Sequence, residues 1–214
     1  MRATSKLLAI ALTAALQPAM AGVVSLNFED PATMGQLGNQ FVKDGVTFVG
    51  SAWDVRSPLG TCDGNYLFNR PGNCGALLLG DPDTLASAAD LSFTINLTSG
   101  FINQFDFTYA LRAGNGVVIT VFDSLGGIGN RLATLSNLSG DGCTDPSLRF
   151  CQWYDRSVSF RGTAYSVTIS GVDQRLMLDD LKFTTPGAVP EPAGLALTLG
   201  ALGALAWARK RAAR

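Results

Sequence analysis

Histidine is absent from the 214 residues, and between residues 22 and 185 the chain holds a single glutamate. Without histidine there is no Ser-His-Asp or Cys-His nucleophile and no His-ligated zinc. The four cysteines show no CxxC spacing, so a cysteine zinc site or a dithiol redox motif is not indicated. Charge is sparse, at 15% of residues, and residues 22–185 carry 10 basic against 16 acidic side chains. A net of −6 excludes a backbone-tracking nucleic-acid surface, which needs a basic excess. No stretch sustains a 3.6-residue apolar period, which argues against amphipathic helices. No fixed internal repeat appears either, which sets a solenoid aside.

What is present begins at the two ends, which read as addresses. Met1 to Lys6 is a basic start, Leu7 to Leu16 is apolar, and Ala19-Met20-Ala21 offers small residues for signal-peptidase cleavage. Residues 1–21 are therefore expected to be a signal peptide. The apolar run of about 10 residues is too short to span a bilayer. At the other end, residues 186–192 form a proline-rich spacer, residues 193–208 carry no charge, and residues 209–214 are basic. As a helix the uncharged run would be roughly 24 Å long, a marginal transmembrane span. Arg209, Lys210 and Arg211 would hold its end on the cytoplasmic side. Residues 22–185 are then the one domain, exported across the inner membrane.

An exported domain is where disulfides persist. Cys62, Cys74, Cys143 and Cys151 allow three pairings; the local ones, Cys62 with Cys74 and Cys143 with Cys151, are favoured. Each such loop would add about 3 kcal/mol if unstrained.

The domain reads as short strands separated by Gly, Asn, Asp and Pro. Candidates are residues 23–29, 46–49, 66–68, 76–79, 91–97, 102–109, 116–123, 157–161, 164–170 and 175–183. Alternation is clearest in Leu91, Phe93, Ile95, Leu97 and in Phe105, Phe107, Tyr109, each the mark of a strand with one buried face. Such a series without helices predicts an all-β, antiparallel β-sandwich of jelly-roll type. Threonines are scattered along the chain, so no ice-binding array is expected.

The C-terminal order of Val189-Pro190-Glu191-Pro192, apolar span and basic cluster resembles the PEP-CTERM sorting signal, with Pro190, Glu191 and Pro192 as its namesake tripeptide. The resemblance covers about the last 26 residues of the chain. It implies processing by an exosortase at the inner membrane of a Gram-negative bacterium that makes exopolysaccharide or biofilm matrix. The protein would be membrane-anchored first and at the cell surface or outside it afterwards.

Two clusters in the middle carry chemistry. Met177, Leu181 and Phe183 mark the expected apolar face of the last strand, and Asp179 shares it by alternation. A buried carboxylate needs donors or a cation. Leu178-Asp179-Asp180-Leu181 resembles the closing strand of jelly-roll carbohydrate-binding modules, whose first and last strands meet around a structural calcium. The implied ligands are Glu29, Asp30 and Asp179 or Asp180; satisfaction of Asp179 by backbone N–H groups is the other reading. The second cluster, Gln152-Trp153-Tyr154-Asp155, pairs aromatic faces with hydrogen-bonding groups, which suits sugar rings. Trp153 and Tyr154 are its candidate ligand contacts, unless they serve to fill the core.

Three functions remain. The first is a non-catalytic surface or extracellular-matrix protein, the second a carbohydrate-binding module with polysaccharide as partner. The third is a small hydrolase, which would need a groove with two carboxylates on different strands.

Overall fold

In a computed structural model, the described residues are 21–30, 33–56, 75–83, 89–112, 116–136, 138, 140, 150 and 152–187. All four cysteines, both targeting ends and the expected strand at 66–68 lie outside them. Residues Ala21–Pro186 form one unit, whose described residues make ten strands. These are β1 Gly22–Leu26, β2 Gly35–Gln36, β3 Val46–Gly50, β4 Ala52–Arg56, β5 Gly75–Leu79, β6 Asp90–Leu111, β7 Val118–Phe122, β8 Arg131–Ser136, β9 Tyr154–Val172 and β10 Leu176–Thr185. Every pairing among them is antiparallel, as expected of an all-β sandwich.

The architecture rests on β6 and β9, which at 22 and 19 residues are far longer than their neighbours. They pair with each other from Asp90↔Val172 to Tyr109↔Tyr154, interrupted between Asn96 and Phe101 and again before Gln104. At those interruptions the register shifts. Gly100 has φ +69°, and a Cβ there would stand 2.8 Å from a methyl of Thr163. The first half of β6 joins β3, β9, β7 and β8; the second half joins β10, which β1 and β5 flank. One continuous ladder thus supplies both layers of the sandwich.

Alternation along these strands fills the space between the layers. Phe93, Ile95, Leu97, Val167, Ile169, Ile119 and Val121 come from one layer, and Leu77, Leu79, Phe105, Phe107, Tyr109, Leu178, Leu181 and Phe183 from the other; all belong to one buried cluster. Beside these shifts Phe101 meets Phe160 and Phe183 edge-on, at 5.3 and 5.2 Å between ring centres. Aromatic pairs in this geometry add about 0.5–1.5 kcal/mol beyond burial.

The last strand corrects one expectation. A bulge between Asp179 and Lys182 shifts the β10–β6 register, with Asp180 at φ +50°. Leu176, Leu178, Leu181 and Phe183 therefore face the main core, while Met177 joins a second, smaller cluster with Val55, Ala76, Leu78, Ala110 and Phe150. Asp179 keeps company with Met177, as alternation requires, but not with Leu181 and Phe183. The expected meeting of first and last strands is observed, from Gly22↔Thr185 to Leu26↔Leu181.

On the outer side of the β6–β9–β7–β8 layer, threonines scattered in sequence line up across strands: Thr94↔Thr168, Thr168↔Thr120 and Thr120↔Thr134. The β7–β8 connection lies over part of this row. Its Gly126 and Gly127 amides donate to Asn96 Oδ1 (2.6 Å) and Ser166 Oγ (3.0 Å). Asp123 closes the loop base by accepting from the Asn130 backbone and side chain at 2.8 and 2.7 Å; those bonds hold its pKa below the usual carboxylate value.

Gly127 has φ +70°, and a Cβ there would meet Thr168 Oγ1 at 2.4 Å. The left-handed backbone alone costs an L-residue roughly 1–2 kcal/mol, and the contact adds to it. Gly127→Ala should lower stability by more than Gly162→Ala, whose φ is +90° but whose Cβ would meet nothing within 4 Å. Urea unfolding of the two variants checks this, and equal losses would show that the loop does not bear on the threonine row.

Candidate functional site

The outward face of β6, β9 and β10 changes character along its length. Toward β4 and β5 it is the small apolar cluster, against which Trp53 and Trp153 pack half-buried. Further along the same strands it becomes polar, because core-facing Phe105, Phe107 and Tyr109 alternate with Asp106 and Thr108 on β6. A groove of about 430 Å³ opens here, lined by Asp106, Phe107, Thr108, Asp155, Arg156, Ser157, Asp180 and Lys182.

The register builds the groove row by row. Asp106 sits between Ser157 of β9 and Lys182 of β10, and Thr108 sits between Asp155 and Asp179. Gln104 Nε2 donates to both Asp106 oxygens at 3.0 and 2.8 Å, and Ser157 Oγ donates to Oδ1 at 2.5 Å. Thr108 Oγ1 donates to Asp155 Oδ1 at 2.7 Å. Bonds within each row, with Gln104 adding to Asp106, hold both carboxylates in place before any ligand arrives.

Of the expected ligand contacts, Trp153 extends the row Asp155, Ser157 on the groove's side of the sheet. Tyr154 turns the other way, packs on the main core and meets the Tyr109 ring at 5.5 Å, its hydroxyl bonded to Gln152 Oε1 at 2.6 Å. The two aromatics thus divide: Trp153 packs half-buried on the smaller apolar cluster, and Tyr154 packs half-buried against the main core. The groove residues Asp106, Thr108, Ser157 and Lys182 were not visible as a site in the sequence, where each is the ordinary polar half of an amphipathic strand.

The acids expected to hold calcium lie on β10 and just past the end of β1. Asp179 is fully buried, and the Asp180 amide donates to its Oδ1 at 2.7 Å. Glu29 and Asp30 follow β1; Glu29 Oε1 accepts from the Gly75 amide at 3.5 Å. Among the described residues no three His, Cys, Asp or Glu side chains gather closely enough to hold a metal ion.

Near Glu29 and Asp30 lies a carboxylate that sequence reading passed over. Asp54 of β4 is buried, and its Oδ1 has no hydrogen-bond partner. Its Oδ2 meets the Thr33 hydroxyl, which also bonds the Asp30 carbonyl at 2.8 Å. Burial pushes the Asp54 pKa from 3.8 up to about 6; the Thr33 bond and then Arg56 oppose the shift, while Glu29 and Asp30 reinforce it. One hydroxyl carries one proton, so both Thr33 contacts are best served when Asp54 is itself protonated.

A folded-state pKa raised above the unfolded value stabilises the fold below pH 3.8, and this contribution disappears as pH rises through about 6. Asp54→Asn mimics the protonated acid. It should raise the melting temperature at pH 8 and leave it nearly unchanged at pH 4; an equal change at both would contradict the shift. The same melts at pH 8 with calcium and with EDTA test the metal expectation, which an unchanged melting temperature removes.

No protein-family model matches the chain, and no curated protein sequence matches it. Among solved structures it is similar to the K2 cleaved adhesin domain of Lys-gingipain, with a TM-score of 0.52 and 16% identity over 77% of this chain and 100% of that one. It is also similar to the K1 cleaved adhesin domain of Lys-gingipain from Porphyromonas gingivalis W83, with a TM-score of 0.47 and 12% identity over 78% and 99%. TmCBM61, solved in complex with beta-1,4-galactotriose, gives 0.37 and 15% over 70% and 98%. Of these three, only the first exceeds 0.5, and at 16% identity it establishes a shared β-sandwich fold and nothing about ligands.

Proposed function

We propose that this chain is an exported, non-catalytic surface or extracellular-matrix protein whose jelly-roll-type sandwich binds polysaccharide through the groove on β6, β9 and β10. The observation that carries the reading is the groove itself: a cleft of about 430 Å³ with hydroxyls and carboxylates fixed on three strands, continuing into an indole-bearing patch at Trp153. Sugar rings stack on aromatic faces and present hydroxyls at their edges, so such a surface meets both sides of their chemistry.

Location rests on the sequence ends. A signal peptide at residues 1–21 and the PEP-CTERM-like tail would route the protein through signal peptidase and an exosortase, from a transient inner-membrane anchor to the surface or biofilm matrix. The span is marginal in length and rich in Ala and Gly, which suits a temporary anchor.

The hydrolase reading has a foothold, because Asp106 and Asp155 are diagonal neighbours, about 7–8 Å apart at Cα, a spacing compatible with a carboxylate pair. Yet Asp106 is engaged by Gln104 and Ser157, and Asp155 by Thr108. Such an arrangement positions acceptors for binding.

Migration of the purified chain in native gels containing a soluble polysaccharide should be retarded, and Trp153→Ala should abolish the retardation while the circular dichroism spectrum is kept. Release of new reducing ends from the polysaccharide would contradict a non-catalytic role. Intact-mass analysis of the surface form should find residues 193–214 missing; their presence would replace processing with permanent anchoring.

A further inference from the structure

The β7–β8 loop divides the outer face of the other layer into two unequal halves. The strands there lie in the order β3, β6, β9, β7, β8. The turn Leu125–Gly127 folds back over β6 and β9, where Gly126 bonds Asn96, Gly127 bonds Ser166, and Ser166 Oγ donates on to the Ser124 carbonyl at 2.5 Å. Asn96 and Ser166 are buried, so the turn is fixed in place. It carries Leu125 and Ile128 outward, 45% and 67% exposed. On the other half, over β7 and β8, the outward Thr134 and Ser136 stay exposed. Charge is kept off this face. The alternate positions of 92–96, 166–170, 118–122 and 134–136 that point away from the core carry only Ser, Thr, Asn, Val and Phe. Asp90 and Arg131 stand at opposite ends of the rows, and Asp123 is tied to Asn130 at the loop base. The domain's net −6 lies mostly elsewhere, so two copies meet here with the least repulsion.

We propose that this face pairs with the same face of a second copy of the chain, about a two-fold axis running along the strands between β9 and β7. Such an axis sets β6 and β9 of one copy over β8 and β7 of the other, so each raised turn lands on the open half of its partner. Stacked sheets pack about 10 Å apart, a gap suited to one layer of backbone with the Leu125 and Ile128 side chains. Because the turn is already pinned, little ordering cost attends the contact. Four strands spaced about 4.8 Å, with rows about six residues long, give a planar footprint of roughly 400 Å² per copy. Even with side-chain relief this falls at the low end of specific interfaces, which bury about 800 Å² per partner. The dimer is therefore weak and concentration-dependent. A lipid surface suits the exposed tip less well, since anionic headgroups attract basic clusters and the outward rows offer Arg131 alone. The pairing needs no polysaccharide, and it leaves the groove on the other layer uncovered.

Sedimentation velocity on the full chain in mild detergent should show monomer passing to dimer as concentration rises. Added NaCl should favour the dimer, because screening relieves the repulsion between two net-negative domains. Ile128→Asp on the turn and Thr134→Asp on the open half should each weaken association by about tenfold or more, through like charge and lost contact. Met34→Asp, which adds the same charge at an exposed position beside β2, should leave it unchanged. All three positions are exposed, so the variants should melt with the parent chain. Ile128→Asp combined with Thr134→Lys should recover the dimer, because the two-fold axis brings the turn of one copy to β8 of the other. Monomer at every concentration overturns the pairing. So does a dimer that Ile128→Asp and Thr134→Asp leave intact, which would assign association to the tail. Loss in the single variants without recovery in the double one contradicts the two-fold arrangement. A monomer that co-sediments with phosphatidylcholine vesicles, and ceases to in Ile128→Asp, would give the tip to a lipid surface and overturn the pairing as well.

Discussion

Antiparallel pairing of β6 with β9 is the constraint on which the molecule depends. These two strands run through both layers, so their pairing, carried across the register shifts around Gly100, fixes where the other strands attach. It also decides, residue by residue, which side chains enter the space between the layers and which look outward. The inward set is aromatic and aliphatic and closes into a single core. The outward set is free to vary, and it differs between layers: a hydroxyl row crossed by the β7–β8 loop on one side, a charged groove beside two indoles on the other. Because a one-residue slip would exchange the two sets, burial of the phenylalanine rows protects the geometry of the groove.

The bulge in β10 serves the same end locally. By adding a residue between Asp179 and Lys182 it lets Leu178 and Leu181 both face the core, and it brings Lys182 level with Asp106. Without it, strict alternation would put Lys182 out of register with the acid row. Bulges commonly re-aim side chains next to functional surfaces, and here the re-aimed side chain is the groove's ammonium.

Much of the sandwich could be read in the sequence because its core strands alternate cleanly. Leu91 to Leu97 and Phe105 to Tyr109 announced themselves, yet as two strands; Thr98-Ser99-Gly100 reads as a turn, and only the structure shows the chain pairing on past it. The two expected strands at 157–161 and 164–170 merge into β9 in the same way. Strand β4 escaped notice because Asp54 stands at a buried position where an apolar residue would have signalled a strand, and β8 because Leu132 and Leu135 are only half-buried at an edge. The groove was illegible for a different reason. Asp106, Asp155 and Lys182 are far apart in sequence, and nothing but cross-strand register joins them. Trp153 was visible as a candidate, and its separation from Tyr154 follows from neighbouring side chains turning to opposite sides.

The proposed glycan surface is therefore tied to a register. A heteronuclear NMR titration with a soluble neutral oligosaccharide addresses this most directly. Amide shifts should concentrate at residues 104–108, 153–157 and 180–182, with the Trp153 indole N–H among them. Shifts centred instead on Thr94, Thr120, Thr134 and Thr168, or none at saturating oligosaccharide, would contradict it.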